Sequence, residues 1–141
     1  MTTTKYDKYF TTECVKPNPK DGGASVTSTR HLDDFGGGHF SIDCIYITKP
    51  RLMITQPHQH EFPQYLHFFS ANPENSSDFE AEIEITLGEE AEKHVITRPT
   101  AVYIPAGTLH GPLNFARITK PVLFVDIAVT ASYSRVGNTP D

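Results

Sequence analysis

Phe79-Glu80-Ala81-Glu82-Ile83-Glu84-Ile85-Thr86-Leu87 alternates strictly between apolar and polar positions. In an extended chain that puts Ala81, Ile83, Ile85 and Leu87 on one face and Glu80, Glu82 and Glu84 on the other. This is the pattern of a half-buried strand, with the three glutamates as its solvated side. Further strands are predicted over 40–48, 52–55, 64–69, 94–97, 100–104 and 122–129, where β-branched and aromatic residues cluster between breakers. Pro50, the polar run Ser70 to Asp78, and Gly88-Glu89-Glu90 supply turns between them. His94 is expected as an exposed member of its strand. No apolar stripe of helical period extends over ten or more positions. Short strands punctuated by Gly and Pro predict an all-β, antiparallel sandwich or barrel.

This pattern divides the chain into an N-terminal arm (1–38), a barrel (39–130) and a polar C-terminal tail (131–141) expected to fray. The arm is turn-rich, with at most short regular pieces, and is expected to wrap the domain or a partner subunit. His31 and His39 read as surface or hydrogen-bonded histidines. Gly36-Gly37-Gly38 lacks both the Lys-Ser/Thr ending and the following helix of a phosphate-binding loop, so that reading is rejected.

Size and charge narrow the function classes. A chain of 141 residues with 38% hydrophobic residues can bury one core without disulfide staples. A net charge of -5 and the lack of a basic stripe argue against nucleic-acid binding. No apolar run approaches a membrane span, and the first residues lack an apolar signal region. Cys14 and Cys44 have no metal-ligand spacing and are expected to be reduced thiols in a cytoplasmic protein.

The candidate chemistry lies in two stretches. His58 and His60 are one residue apart, so an extended backbone points both rings the same way, and each neutral imidazole offers a lone pair to a metal ion. Gln64 follows four positions after His60. Pro105 and Gly107 predict a sharp turn that aims His110 from a fixed backbone, with Asn114 four residues on to brace the turn or orient a ligand. A β-barrel lines one interior with strands distant in sequence, which is how His110 would meet His58 and His60. Asp126 is the only charge within Val122–Val129. A carboxylate in an apolar strand requires a physical reason. A hydrogen bond to a neighbouring strand or turn is the preferred one, and a role as cavity base is the other. Tyr103 is expected in the core or donating to a substrate oxygen, and Phe115 as apolar lining. Glu61 has the wrong alternation to share an ion with His60, and His67 has opposite parity to Gln64 and is expected to face away.

Both stretches resemble the motifs of the cupin superfamily. Its second motif, Pro-x-Gly-x-x-His-x-x-x-Asn, is matched by Pro105, Gly107, His110 and Asn114; its first by His58 and His60, with Gln64 where the family usually has glutamate. The resemblance spans about residues 40–129 and departs from the pattern at Leu52, Ala71 and Pro99, where the family has glycine. It implies a double-stranded β-helix, or jelly-roll, barrel holding one divalent ion of Mn, Fe, Ni or Zn on His58, His60, His110 and Gln64. It also implies a homodimer.

Four neutral ligands would leave the ion its full charge, which favours an anionic small-molecule partner such as a carboxylate or enolate. The leading expectation is therefore an enzyme of lyase, isomerase or decarboxylase type acting on a small oxygenated anion. The resemblance also allows an Fe(II)-dependent dioxygenase built on three histidines, and a non-catalytic binding or sensing cupin.

Overall fold

The computed structural model describes residues 4–17, 25–30, 32, 35–36 and 39–130. Among the described residues, ten strands run in the order β1 (Val15–Pro17), β2 (Ser25–Ser28), β3 (Ser41–Ile47), β4 (Arg51–Ile54), β5 (Gln64–Ser70), β6 (Ala81–Leu87), β7 (Glu92–Ile96), β8 (Thr100–Ile104), β9 (His110–Ile118) and β10 (Val122–Ala128). They form a six-stranded sheet, β1-β2-β3-β10-β5-β8, and a four-stranded sheet, β4-β9-β6-β7. Every strand pairing within them is antiparallel. The expected all-β class and the alternation on β6 are both found, with Ala81, Ile83 and Ile85 buried.

The inner faces of both sheets contribute to one core. Ile45, Ile47, Leu66, Phe68, Ile104, Val122 and Phe124 come from the larger sheet, and Ala81, Ile83, Ile85, Ile96, Leu113 and Phe115 from the smaller. Phe68, Phe115 and Phe124 form an aromatic triangle with centroids 5.2–6.1 Å apart, each ring tilted or edge-on to its neighbours as aromatic quadrupoles prefer. Residues of one parity on β3, β5 and β10 fill this interior. The same parity carries Asp43, Gln64 and Asp126, so the barrel interior is apolar at one end and polar at the other.

The strand β9 is absent from the sequence-based expectation, because Gly111 and Pro112 interrupt its apolar pattern. The register explains how it forms. Ile85 pairs with Leu113 and Leu87 with His110, so β9 carries one extra residue in a bulge. Gly111 and Pro112 fall within that bulge, where proline's missing N–H breaks no ladder bond.

Two short strands of the arm, β1 and β2, extend the larger sheet through β3. His39 is exposed, as expected. His31 and the tail 131–141 lie outside the described residues. Cys14 and Cys44 are both free thiols. Among the described residues, no helix is long and apolar enough to cross a membrane.

Candidate metal centre

The backbone brings the two histidine stretches together before any side chain does. His58 and His110 pair as an isolated antiparallel bridge. His58 N donates to His110 O at 3.0 Å and His110 N to His58 O at 2.9 Å. Gly107 N donates to His60 O at 2.8 Å, so the turn before His110 is tied to the third histidine. That turn closes through Thr108 N to Pro105 O at 3.2 Å, with Gly107 at φ +78°, a type II arrangement that favours glycine there. Gly111 is constrained twice. Its φ is +109°, and a Cβ would lie 3.0 Å from both Gln56 O and Ile54 Cγ2. The β9 bulge lets His110 and Leu113, three residues apart, both be buried.

The three imidazoles are almost wholly enclosed, at 6%, 2% and 3% exposure for His58, His60 and His110. Their rings pack at centroid distances of 4.3–5.2 Å. Each offers one ring nitrogen to a cluster in which all three nitrogens lie within 4.8 Å of one another. Hydrogen bonds choose the tautomers. A carbonyl only accepts, so His110 Nδ1, 2.9 Å from Thr108 O, carries the proton and leaves Nε2 as the lone-pair nitrogen. A longer contact, 3.4 Å from His58 Nδ1 to Gln56 O, acts in the same sense. The His60 ring stacks on Phe62 at 4.7 Å.

Gln64 opens β5 and is buried at 2% exposure. Its Nε2 donates to Asp126 Oδ1 at 3.1 Å, with a weaker contact to Oδ2 at 3.4 Å. Because a carboxylate accepts only, this bond fixes which end of the amide faces Asp126. The Oε1 atom is buried and has no hydrogen-bond partner among the described residues. An orphaned buried acceptor costs about 1–3 kcal/mol unless a cation, water or ligand donor completes it.

Behind Gln64 stands an ionic group. Arg30, just past β2, reaches Asp43 at 2.7 Å and Asp126 at 3.1 Å, and Ser28 Oγ donates to Asp43. One guanidinium serves two carboxylates, so the group carries a net negative charge beside Gln64. Burial pushes the Asp126 carboxyl up from its ordinary value, and the Asp43 charge adds to this. The Arg30 charge and hydrogen bond, and the Gln64 bond, oppose it.

The remaining sequence-selected residues fall into different surroundings. Asp126 makes the hydrogen bond to a neighbouring strand that was the preferred expectation. Phe115 is fully buried in the aromatic triangle. Asn114 points the other way from it along β9, and its Nδ2 donates to Glu84 Oε1 at 3.2 Å across the adjacent strand; it neither braces the turn nor faces the histidines. Tyr103 is 56% exposed and stacks on Tyr65 at 5.1 Å, outside the core where it was expected, because it has opposite parity to buried Ile104. Glu61 is exposed, and His67 lies on the face opposite Gln64, beside Phe69. Arg30 and Asp43 were not foreseen. Asp43 carried the same signal as Asp126, a lone acid in an apolar strand; Arg30 carried none.

Three buried imidazoles with converging nitrogens are a donor set that fits a divalent transition-metal ion. No family model matches the sequence, and neither does any curated protein. Solved structures do match. KdgF from Halomonas sp. superposes with a TM-score of 0.50 at 16% identity, over 86% of this chain and 92% of that one. The polyketide cyclase RemF from Streptomyces resistomycificus gives 0.50 at 14% identity, over 91% and 75%. The Mn(II)-containing oxalate decarboxylase of Bacillus subtilis gives 0.47 at 12% identity over 79% of this chain, which spans 26% of that protein. In fold, this chain is similar to these proteins: an antiparallel barrel of the cupin jelly-roll type, with three buried histidines able to hold a metal ion.

Proposed function

We propose that this chain is a metal-dependent enzyme of lyase, isomerase or decarboxylase type acting on a small oxygenated anion. The observation that carries the reading is the buried cluster of His58, His60 and His110, whose ring nitrogens lie within 4.8 Å of one another. Gln64 Oε1 is the fourth donor in this reading. A divalent ion of Mn, Fe, Ni or Zn held there supplies Lewis acidity toward a carbonyl or carboxylate oxygen. The chain's part is to present uncharged donors, so that the charge met by an arriving anion is not cancelled by the protein's own ligands. The carbonyls of Thr108 and Gln56 hold two of the imidazoles in the tautomer that coordinates through Nε2. Phe62, stacked on His60, supplies an apolar wall, which strengthens electrostatic interactions in the site by excluding water.

The test is turnover. Protein stripped of metal and reconstituted separately with Mn(II), Fe(II), Ni(II) and Zn(II) is incubated with small hydroxy and oxo acids, followed by proton NMR and an oxygen electrode. Metal-dependent product without oxygen uptake is the expected result. Oxygen uptake confined to the Fe(II) form would replace this reading with a dioxygenase. Saturable acid binding without turnover under any metal would replace it with a binding protein.

A further inference from the structure

We propose that Asp126, held by Arg30, is a positioning residue for the metal centre: it fixes the Gln64 amide so that Oε1, and not Nε2, is the atom presented as a metal donor. This rests on the metal-site reading above and adds to it a part of the machinery contributed by the N-terminal arm.

The geometry gives the reason. An amide can present either end, and only the oxygen end donates a lone pair to a cation. Gln64 Nε2 lies 3.1 Å from Asp126 Oδ1, which can only accept, so the flipped amide would set two acceptors against each other. Gln64 Oε1 is then the end turned away, buried and without a hydrogen-bond partner among the described residues. Asp126 is itself oriented. Its Oδ2 accepts from Arg30 Nη2 at 3.1 Å, while Arg30 Nη1 is anchored on Asp43 Oδ2 at 2.7 Å. Asp43 and Asp126 are direct partners across β3 and β10, so a single guanidinium spans them.

The arrangement has an electrostatic consequence. Arg30, Asp43 and Asp126 together carry one negative charge, passed toward the ion through the N–H side of the amide. An amide that donates to a carboxylate has a more electron-rich oxygen, as an imidazole does when a carboxylate accepts its N–H. Gln64 thus regains part of the donor strength of a glutamate while the immediate ligand set stays neutral. Both Asp126 oxygens accept hydrogen bonds, Oδ1 from Gln64 and Oδ2 from Arg30.

Co(II) titration followed by visible absorption tests this without any substrate. Circular dichroism melts establish that each variant is folded. Asp126→Leu is expected to weaken Co(II) binding about 10–100-fold and to alter the ligand-field spectrum, as loss of an outer hydrogen-bond partner does. Asp126→Asn has one oxygen for two donors, Gln64 Nε2 and Arg30 Nη2, and lacks the charge, so it is expected to bind Co(II) more tightly than Asp126→Leu but more weakly than wild type. The deciding comparison is a double-mutant cycle. In a Gln64→Met background Asp126→Leu is expected to cause no further loss, because Asp126 acts only through Gln64. Additive losses, or wild-type binding by Asp126→Leu, would overturn the proposal while leaving the three-histidine site standing. If Asp126→Leu does not fold, Asp126→Ala carries the same expectations. Failure of the wild-type protein to bind Co(II) at all would overturn both readings, and a His110→Ala control separates that case from the others.

Discussion

At the scale of single residues, the site depends on backbone positions that carry no chemistry of their own. Gly107 and Gly111 both have positive φ, yet they differ in surroundings: a Cβ at Gly107 meets nothing within 4 Å, whereas one at Gly111 meets Gln56 O and Ile54 Cγ2 at 3.0 Å. Gly107→Ala is therefore expected to cost about 1–2 kcal/mol from left-handed backbone strain alone. Gly111→Ala adds a backbone clash beside His110 and is expected to cost about 3 kcal/mol or more. Thermal unfolding would order the two; equal losses would mean that the contact with the Gln56 carbonyl relaxes freely. The histidines were legible in the sequence because their spacing and flanking turn residues state a geometry. The tie between His58 and His110 was not, since a two-bond bridge between segments about fifty residues apart leaves no local signal. Arg30 was illegible for a related reason: its role depends on where the arm crosses β3, a purely tertiary fact. Tyr103 and Asn114 were misplaced because a strand's alternation sends adjacent residues to opposite faces, and neither shares the parity of the interior.

At the scale of elements, periodicity served where alternation was uninterrupted and failed where it was broken. The strand β6 was plain from its sequence, although it starts at Ala81, two residues later than Phe79. The strand β9 was hidden by a bulge, which resets the period of two that marks a strand. Loops show the reverse relation, since their polar residues are read correctly but their bonds are specific. Between β5 and β6, Asp78 accepts from Asn72 Nδ2 and from Lys120 Nζ, both at 2.9 Å. The Asn72 bond first, then that of Lys120, holds the Asp78 carboxyl below its ordinary value. The folded state therefore binds this proton less readily than the unfolded chain. Its contribution is present above the unfolded value and is lost as pH falls through the lower, folded one. Asp78→Asn should accordingly be less stable than wild type near about pH 7, with the difference shrinking toward about pH 3. Urea midpoints at the two pH values measure this, and a difference independent of pH would show that the carboxylate charge is not what the loop uses.

At the scale of the whole molecule, the barrel sorts its interior by position along the strands. The aromatic triangle of Phe68, Phe115 and Phe124 fills one region, and Gln64, Asp126 and Asp43 share the same inward parity toward the other. Such a fold can keep buried polar groups because the apolar region supplies the burial that offsets them. Where three imidazoles are enclosed together, a bound ion stabilises the folded state by mass action, by about 4 kcal/mol at a thousandfold excess over Kd. The central claim is that His58, His60 and His110 form a metal site, and metal content addresses it most directly. Untagged protein and its His110→Ala variant, each equilibrated with Mn(II), Fe(II), Ni(II) and Zn(II) and then dialysed, are to be analysed by plasma mass spectrometry. About one equivalent of one of these metals is expected in the wild-type chain and none in the variant. No retained metal in the wild-type chain, or equal retention in the variant, would contradict the claim.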